Sequence, residues 1–361
     1  MRMEFKPLLI VCILGIILLN IFDFNIVYSE NEVFNETTNY TIYKENGDVL
    51  FERIGVEVGD EYLSKNFEKY KVISLDLEKK TGVAKFIEDV EEKNVIISDE
   101  PHFINASSKK IALYCSHNDE SYVDGDGTES VYGAGGIHDI AKALKQGLTN
   151  YGIDVEFDET LHIPHDANAY ARSSVTAKAL LKNENPDAIF DIHRDGTSRK
   201  YYIANDNGKE RCMVRIVVGK GNSNYKQNEE FALYIMSVAN KLYPWLIKDI
   251  YYGKGTYNQN LTNKELLFEM GSHLVEKSLV KQSVAPLTDV INTALFNTTV
   301  NSDNGELTIN GNENNEEKLV NNVLKEQEVK NSNSAVFKVV IMIGMITIIG
   351  TIVSILNKKL G

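Results

Sequence analysis

The segments IALYC at 111–115, IHDIAKALKQGLTNY at 137–151 and IDVEF at 153–157 decide the fold class of this chain. The first is a short apolar run that predicts a strand. The second has apolar residues at helical spacing, and Gly152 follows it as a helix stop. The third predicts another strand. A strand, a helix and a strand in this order are typical of the unit from which parallel sheets are built.

The same alternation continues toward the C-terminus. It predicts a helix over 167–182, strands over 188–192 and 213–218, a helix over 231–242, a strand over 266–270 and a helix from His273 onward. Upstream, YKVISLDL at 70–77 predicts a strand. The sequence therefore predicts an α/β domain whose central sheet is mainly parallel or mixed.

Both ends of the chain are apolar. Residues 7–22 follow two basic residues, and residues 339–356, which 335–337 lengthen, precede two lysines. The first run fits a signal peptide or an uncleaved signal anchor, and the absence of an A-x-A cleavage site favours the anchor. The second is just long enough to span a bilayer. Because basic residues flank both runs on their outer sides, we expect two transmembrane helices with everything between them outside the cytoplasm.

Composition divides the chain into five predicted regions. These are a signal-anchor segment at 1–29, a polar N-terminal region at 30–105, a catalytic domain at 106–296, a linker at 297–334 and a C-terminal transmembrane segment at 335–361. The linker is rich in Asn, Glu, Lys and Ser and has the composition of a solvated tether.

The chain has 361 residues, a net charge of −13 and a mean hydropathy of −0.23. The acidic balance argues against nucleic acid as the main partner, since phosphate binding rests on clustered Lys and Arg. Three cysteines are too few for a disulfide framework. The hydrophobic fraction of 43% is enough for a core, which excludes a wholly disordered chain.

Ligands of open α/β sheets bind beyond the carboxyl ends of the strands, and three predicted strand ends carry unusual residues. His117 and Glu120 follow IALYC, His193 follows the strand at 188–192, and Glu269 lies inside LLFEMGS. Two imidazoles and a carboxylate with an open fourth position fit a catalytic zinc ion, and Glu269 would be the base that deprotonates water. Each residue alone is also explained by chance or by an ordinary hydrogen bond, so the joint occurrence carries the hypothesis.

Other side chains compete for the role of third metal ligand. Glu129 and His138 flank a glycine-rich segment and are the alternatives to Glu120. Three further histidines are expected to line a cleft, cap a helix or begin one: His162, His165 and His273.

Two arginines near these loops, Arg172 and Arg194, would bind a substrate carboxylate or steady a developing oxyanion, and a salt bridge is the alternative for each. Either Asp191 or Asp195 would orient the imidazole of the histidine between them.

The cysteines Cys115 and Cys212 are predicted to be buried strand residues. Because Cys115 lies two residues before His117, a cysteine hydrolase remains an alternative.

Five motifs, taken together and in order, resemble the stage II sporulation protein P family. They are IALYCSHNDES at 111–121, HIPHDANAYARS at 162–173, DIHRDG at 191–196, VRIVVGKGNSNY at 214–225 and LLFEMGS at 266–272. GDEYLSKNFEKYKVISLD at 59–76 is similar to the amino-terminal portion of the family, so the resemblance covers roughly residues 55–290.

The resemblance implies a fold, a reaction and a setting. It implies a three-layer, phosphorylase/hydrolase-like domain related to zinc-dependent N-acetylmuramoyl-L-alanine amidases, which cut the amide between the stem peptide and muramic acid. Sporulation members are also associated with endopeptidase activity, and they act during forespore engulfment with stage II sporulation proteins D and M. By the same resemblance His117 and His193 are metal ligands and Glu269 is the late-strand glutamate.

The chain departs from this pattern in two places. Related amidases take a ligand from a glutamate near the start of the first long helix, and no glutamate begins that helix here. Glu120 is chosen from its spacing, with Glu129 and His138 left open. The C-terminal span is not a standard family feature.

We therefore expect a membrane-anchored, extracytoplasmic zinc amidase that remodels septal peptidoglycan, with Glu269 and Arg194 at the reacting centre. One alternative is a zinc peptidase confined to stem peptides or cross-links. The other is a membrane scaffold that binds peptidoglycan without catalysis.

Overall fold

A computed structural model describes residues 39–98, 109–166, 168–296, 298–301 and 306–310. All of these residues belong to one compact unit, Glu36–Gly361. Within them, no helix is both long and apolar enough to cross a bilayer. The two predicted transmembrane segments and most of the predicted linker lie outside the described residues.

Sixteen strands are present in the described part of the chain. They are β1 (Asn39–Lys44), β2 (Val49–Ile54), β3 (Glu61–Ser64), β4 (Glu68–Asp76), β5 (Thr81–Asp89), β6 (Val95–Ser98), β7 (Lys110–Tyr114), β8 (Asp154–Phe157), β9 (Ala188–Asp195), β10 (Ile203–Asp206), β11 (Lys209–Cys212), β12 (Val214–Gly219), β13 (Ile247–Gly253), β14 (Glu265–Ser272), β15 (Thr298–Asn301) and β16 (Glu306–Asn310). The helices are α1 (Val123–Asp126), α2 (Ile137–Asn150), α3 (Ala169–Glu184), α4 (Tyr225–Leu242), α5 (Lys277–Gln282) and α6 (Val284–Phe296), with a 3₁₀ turn at Arg199–Tyr202.

Eleven of the strands form one mixed sheet in the order β2-β1-β5-β4-β3-β13-β12-β14-β9-β7-β8. The strands β14, β9, β7 and β8 are parallel to their neighbours within that set, whereas β14 runs antiparallel to β12. A mixed α/β fold with a large central sheet is therefore confirmed. The strands of the predicted N-terminal region enter this sheet through β3, which pairs with β13. The predicted domain boundaries stay predictions.

At β7 helices cover both faces of the sheet, because this strand is apolar on both sides. In β7, Ile111 and Leu113 pack into the core that α2, α4 and α6 cover, whereas Ala112 and Tyr114 face α3. A strand buried on both faces is expected to be a continuous apolar run, as IALYC is. Burial of each large apolar side chain contributes about 1.5–3 kcal/mol, so these layers hold the strand ends in place.

Most predicted elements have the predicted type, but the helix predicted from His273 onward does not, and several strands were not predicted individually. The helix from His273 onward is wrong, because His273 donates its backbone N–H to Asp195 and its carbonyl accepts from Val123, and α5 begins only at Lys277. The strand β13 was not predicted. Within the predicted linker, β15 pairs with β16, and β16 also pairs with β6, which a wholly solvated tether would not do.

Glu265 generates a prediction about stability. It is fully buried, its Oε1 accepts a hydrogen bond of 2.7 Å from the Tyr114 hydroxyl, and burial raises its pKa well above the usual carboxyl range. A raised folded-state pKa stabilises the fold at pH below the unfolded value, and that contribution is lost as pH rises through the folded pKa.

We therefore expect the free energy of unfolding of the wild-type chain to fall with pH by up to about 1.4 kcal/mol per unit from this group, and Glu265→Gln to remove that slope. The measurement is urea unfolding at a series of pH values from 4.5 upward. The same slope in both proteins would contradict a neutral buried carboxyl at this position.

Candidate active site

Four ionisable side chains form one row across four adjacent strands. Register pairs Asp249 of β13 with Arg215 of β12, Arg215 with Glu269 of β14, and Glu269 with His193 of β9. All four side chains are buried. The row ends at the loop after β7, so the structure brings His193 and Glu269 close to the H-x-x-E segment.

The H-x-x-E segment is a tight turn that the glycine-rich loop packs against. The N–H of Gly135 donates to the carbonyl of Asn118, and the N–H of Ile137 donates to the carbonyl of Glu120, at 2.7 and 3.0 Å. A Cβ at Gly135 would lie 2.3 Å from the Glu120 carbonyl oxygen, so only glycine permits this approach. The glycines thus position the Glu120 turn, which begins directly after β7.

Glu120 occupies the centre of the site. Its Oε1 lies 3.2 Å from Nδ1 of His117 and 3.2 Å from Nδ1 of His193, and its Oε2 accepts the backbone N–H of Arg194 at 2.8 Å. Burial opposes ionisation, but His193 and the hydrogen bond with His117 hold the Glu120 pKa well below its usual value. The carboxylate is therefore an anion shared between two imidazoles.

The imidazole of His193 is oriented by Asp191. Its Nε2 lies 3.0 Å from Oδ1 of Asp191 and 2.8 Å from the Ser116 hydroxyl, which itself donates to Oδ2 of Asp191 at 2.6 Å. This leaves Nδ1 of His193 directed at Glu120. Asp195, the alternative, is held elsewhere by Tyr202 and Arg215 at 2.9 and 2.8 Å.

The protonation of the two histidines differs. Burial lowers the pKa of His117 to about 4, so its imidazole is neutral at neutral pH. Burial also opposes charge on His193, but Asp191 and Glu120 outweigh it and raise the His193 pKa well above its usual value. A cation that binds between these side chains would replace the proton that Glu120 and His193 share.

Glu269 faces this cluster from the neighbouring strand. Its Oε1 lies 3.6 Å from Nη2 of Arg53, and its buried Oε2 has no hydrogen-bond partner among the described residues. Burial first, and Asp195 second, raise the pKa of Glu269 to about 7. A carboxyl that titrates near neutral pH is suited to accept and return a proton.

The residues His117, Glu120 and His193 supply two imidazole nitrogens and a carboxylate oxygen, a donor set that suits Zn²⁺. A second grouping is also close. His117, Glu120 and His165 have ligand atoms that all lie within 4.8 Å of one another, and the His165 ring stacks on His117 at 3.8 Å between centroids. The donor chemistry fits a zinc ion, with His193 or His165 as the third ligand.

The other predicted ligands lie outside this cluster. His138 contacts the side-chain amide of Asn118 at 3.1 Å, and Glu129 is exposed with its carboxylate 3.5 Å from His273. His162 is held in place, since its nitrogens contact the Cys115 carbonyl and the Thr176 hydroxyl.

Both predicted arginines donate hydrogen bonds to backbone carbonyls. Arg194 donates from its guanidinium to the carbonyls of Ser121 and Glu129, so it braces the loop of the site. Arg172 donates to the carbonyls of His162 and Pro164 and to Asp166. The buried thiol of Cys115 has a pKa raised well above its usual value by burial, which removes its nucleophilic form.

Two features of the site were not predicted. Arg53 comes from β2, about 65 residues before the nearest predicted ligand, and no motif marks it. Tyr170 lies beside both candidate ligand histidines, with ring centroids 5.2 Å from His117 and 6.4 Å from His193. The motif HIPHDANAYARS contains this tyrosine, but spacing alone does not single it out.

Fold and site together define a mixed α/β protein with a largely buried cluster of two histidines and two glutamates near the carboxyl ends of β7, β9 and β14. The family model described as "Stage II sporulation protein P (SpoIIP)" matches residues 30–292. The chain therefore belongs to the stage II sporulation protein P family.

Stage II sporulation protein P of Bacillus subtilis (strain 168) is 30% identical over 192 residues, which are 48% of this chain and 48% of that protein. The chain is thus aligned with about half the length of this curated relative.

Two solved structures are also similar. The CwlD amidase from Clostridioides difficile, in complex with the GerS lipoprotein, is 15% identical with a TM-score of 0.38. The apo N-acetylmuramyl-L-alanine amidase Ami1 from Mycobacterium abscessus is 15% identical with a TM-score of 0.34. Each covers 52% of this chain and 96% of the solved chain.

Asp191→Asn tests the orientation of His193. Because an amide no longer offers a charged acceptor to Nε2, we expect binding of Zn²⁺ to the purified chain to weaken about 10–100-fold by isothermal titration calorimetry. Asp187→Asn is the control, since Asp187 precedes the same strand and accepts only the backbone N–H of Lys110 at 2.9 Å among its described side-chain contacts. Equal affinities in wild type and Asp191→Asn would show that Asp191 does not position the imidazole.

Proposed function

We propose that this chain is a zinc-dependent peptidoglycan hydrolase of sporulation, with N-acetylmuramoyl-L-alanine amidase activity. The observation that carries the proposal is the buried donor set of His117, Glu120 and His193, faced by Glu269 with its pKa near 7. Membership of a family named for a sporulation stage supports the setting. The motif resemblance to zinc amidases, with a phosphorylase/hydrolase-like fold, supports the reaction.

The side chains divide the work of amide hydrolysis. His117, Glu120 and His193 would hold the zinc ion, and Asp191 keeps His193 in its orientation. The chemistry that zinc supplies in such sites is Lewis-acid activation of a carbonyl group and of a water molecule. Glu269 takes the proton of the attacking water and returns it to the nitrogen of the leaving amine. Burial of these groups strengthens the electrostatic interactions between them.

The proposed amidase activity also defines the class of substrate. The amidase cleaves the bond between muramic acid and the first residue of the stem peptide, and endopeptidase action on cross-links is a second activity within this proposal. The enzyme acts in septal remodelling and forespore engulfment, anchored in the mother-cell membrane with its catalytic part outside the cytoplasm. Stage II sporulation proteins D and M are the proposed partners, by family resemblance.

A catalytic function is favoured over a peptidoglycan-binding scaffold because burial of this cluster is unfavourable for stability. Burying a carboxylate and two imidazoles opposes folding, and pKa values displaced in opposite directions are typical of functional sites. His117 and Glu269 show such displacements, to about 4 and about 7.

Glu269→Gln is expected to lower hydrolysis of purified sacculi about 10²–10⁴-fold, since the amide cannot accept the water proton. The products are separated by liquid chromatography and mass spectrometry, and intact stem peptides are expected from the wild type. Glu159→Gln, a change at an exposed residue paired with Lys142, serves as the control. If only fragments of stem peptides are released, the amidase activity is contradicted and the peptidase alternative remains. Unchanged hydrolysis by Glu269→Gln would exclude Glu269 as the base.

Metal content tests whether His193 or His165 completes the donor set with His117 and Glu120. We expect one zinc per chain by elemental analysis of wild type, loss of stoichiometric zinc in His117→Ala and His193→Ala, and retention in His165→Ala. Chelation is expected to abolish hydrolysis, and added Zn²⁺ to restore it. Loss of zinc in His165→Ala with retention in His193→Ala would instead assign the third position to His165, and hydrolysis insensitive to chelators would exclude the zinc mechanism.

A further inference from the structure

The hairpin of β1 and β2 lies across the face of the sheet that carries the ionisable row. Although β2 is the edge strand, Phe51 packs against Tyr62 and Tyr251, with ring centroids at 4.9 and 5.8 Å. Ile54 covers Gly196, where a Cβ would lie 2.3 Å from its Cδ1. The strand is thus wrapped over the loop that follows β9, next to the site.

Glu52 fastens β2 to that loop. Its Oε1 accepts the Thr197 hydroxyl at 3.1 Å and the Ser198 N–H at 3.0 Å, and the Glu52 side chain is buried. Successive strand residues point to opposite sides, so anchoring Glu52 also fixes the direction in which Arg53 leaves the strand. The hairpin therefore fixes the position of the Arg53 side chain.

Arg53 lies over an aromatic ring beside the proposed base. Its guanidinium carbon lies 4.2 Å from the Tyr251 ring centroid, Nη1 donates to the Ile54 carbonyl at 3.1 Å, and Nη2 lies 3.6 Å from Oε1 of Glu269. Its buried Nε has no hydrogen-bond partner in the part of the chain that the structure describes. Only 15% of the Arg53 side chain is exposed, so this charge is placed for a partner inside the site.

We propose that Arg53 is a positioning residue that holds the carboxylate of Glu269 at the reacting centre, so that the N-terminal hairpin is part of the active site. The inference rests on the proposed hydrolase function. Glu269 lies among other anionic groups, Asp195 and Glu120, and a buried carboxylate without a compensating cation is unfavourable. Arg53 is the cation whose side chain reaches Glu269 in an ion pair.

Arginine suits this position better than lysine. A planar guanidinium stacks on Tyr251 while its edge faces Glu269, whereas an ammonium group is a point charge on a flexible stem. Arg53→Lys should therefore keep the charge and lose the stacked geometry. This distinguishes a charge that positions Glu269 from a residue that merely fills space.

The kinetic test uses the full-length chain in detergent with purified muropeptide fragments as substrate. We expect Arg53→Gln to lower kcat about 100-fold with KM unchanged, because misplacing a reacting group by about 1 Å has an effect of this size. Arg53→Lys should recover part of the loss. Lys44→Gln removes a cation from the same hairpin that pairs with Glu68 instead, and it should leave kcat unchanged.

The outcomes separate this inference from the proposed function. A wild-type chain that hydrolyses no muropeptide contradicts the proposed function itself. Hydrolysis by wild type together with an unchanged kcat in Arg53→Gln overturns only the positioning role. A rise in KM with kcat unchanged would also overturn it, since Arg53 would then bind substrate directly.

A second measurement needs no activity. In a double-mutant cycle of Arg53→Gln and Glu269→Gln, followed by urea unfolding at pH 8, the two changes should be non-additive because each removes the same ion pair. Circular dichroism of each variant before unfolding verifies that it is folded. Additive effects would mean that the two side chains do not interact, and the inference would fail.

Discussion

The structure of this protein depends on ion pairing among buried charged side chains that lie in one row across the sheet. Asp249, Arg215, Glu269 and His193 stand side by side on four neighbouring strands, all on one face. Arg215 is fully buried and holds both oxygens of Asp249, at 2.7 and 3.1 Å, while a third nitrogen reaches Asp195. Since an isolated buried ion is strongly unfavourable, each charge in the row constrains where its neighbours lie.

That constraint explains why two similar aspartates have different tasks. Asp195 completes the pairing of Arg215 and is thereby removed from the histidine two residues before it. Asp191, two residues on the other side of His193, accepts from Ser116 and contacts the imidazole nitrogen. The sequence DIHRD leaves the choice open because strand alternation puts both aspartates on the same face as the histidine. The hydrogen bonds that Asp195 accepts from Arg215 and Tyr202, both outside this motif, decide between them.

Local sequence predicts the strand ends well and the long-range partners poorly. IALYC and LLFEMGS are largely apolar on both faces, so their burial follows from composition. The backbone conformation at His273 does not follow from local sequence. Its N–H donates to the carbonyl of Asp195 and its carbonyl accepts from the N–H of Val123, so it does not form a helical turn. Arg53 is the extreme case, since its role depends on a curled edge strand that no local pattern encodes.

The N-terminal strands do more than extend the sheet. An edge strand such as β13 would otherwise expose unpaired N–H and C=O groups, and β3 satisfies them. The same segment then turns β2 back over the ionisable row, where Phe51 and Arg53 exclude water from groups whose interactions weaken when solvated. The same N-terminal segment therefore both covers the sheet edge and closes the site. A change that loosens β2 should act on Glu269 before it unfolds the central strands, because only one face of those strands, with Val217, Tyr251 and Leu267, packs against the hairpin, whereas the other face packs against helices.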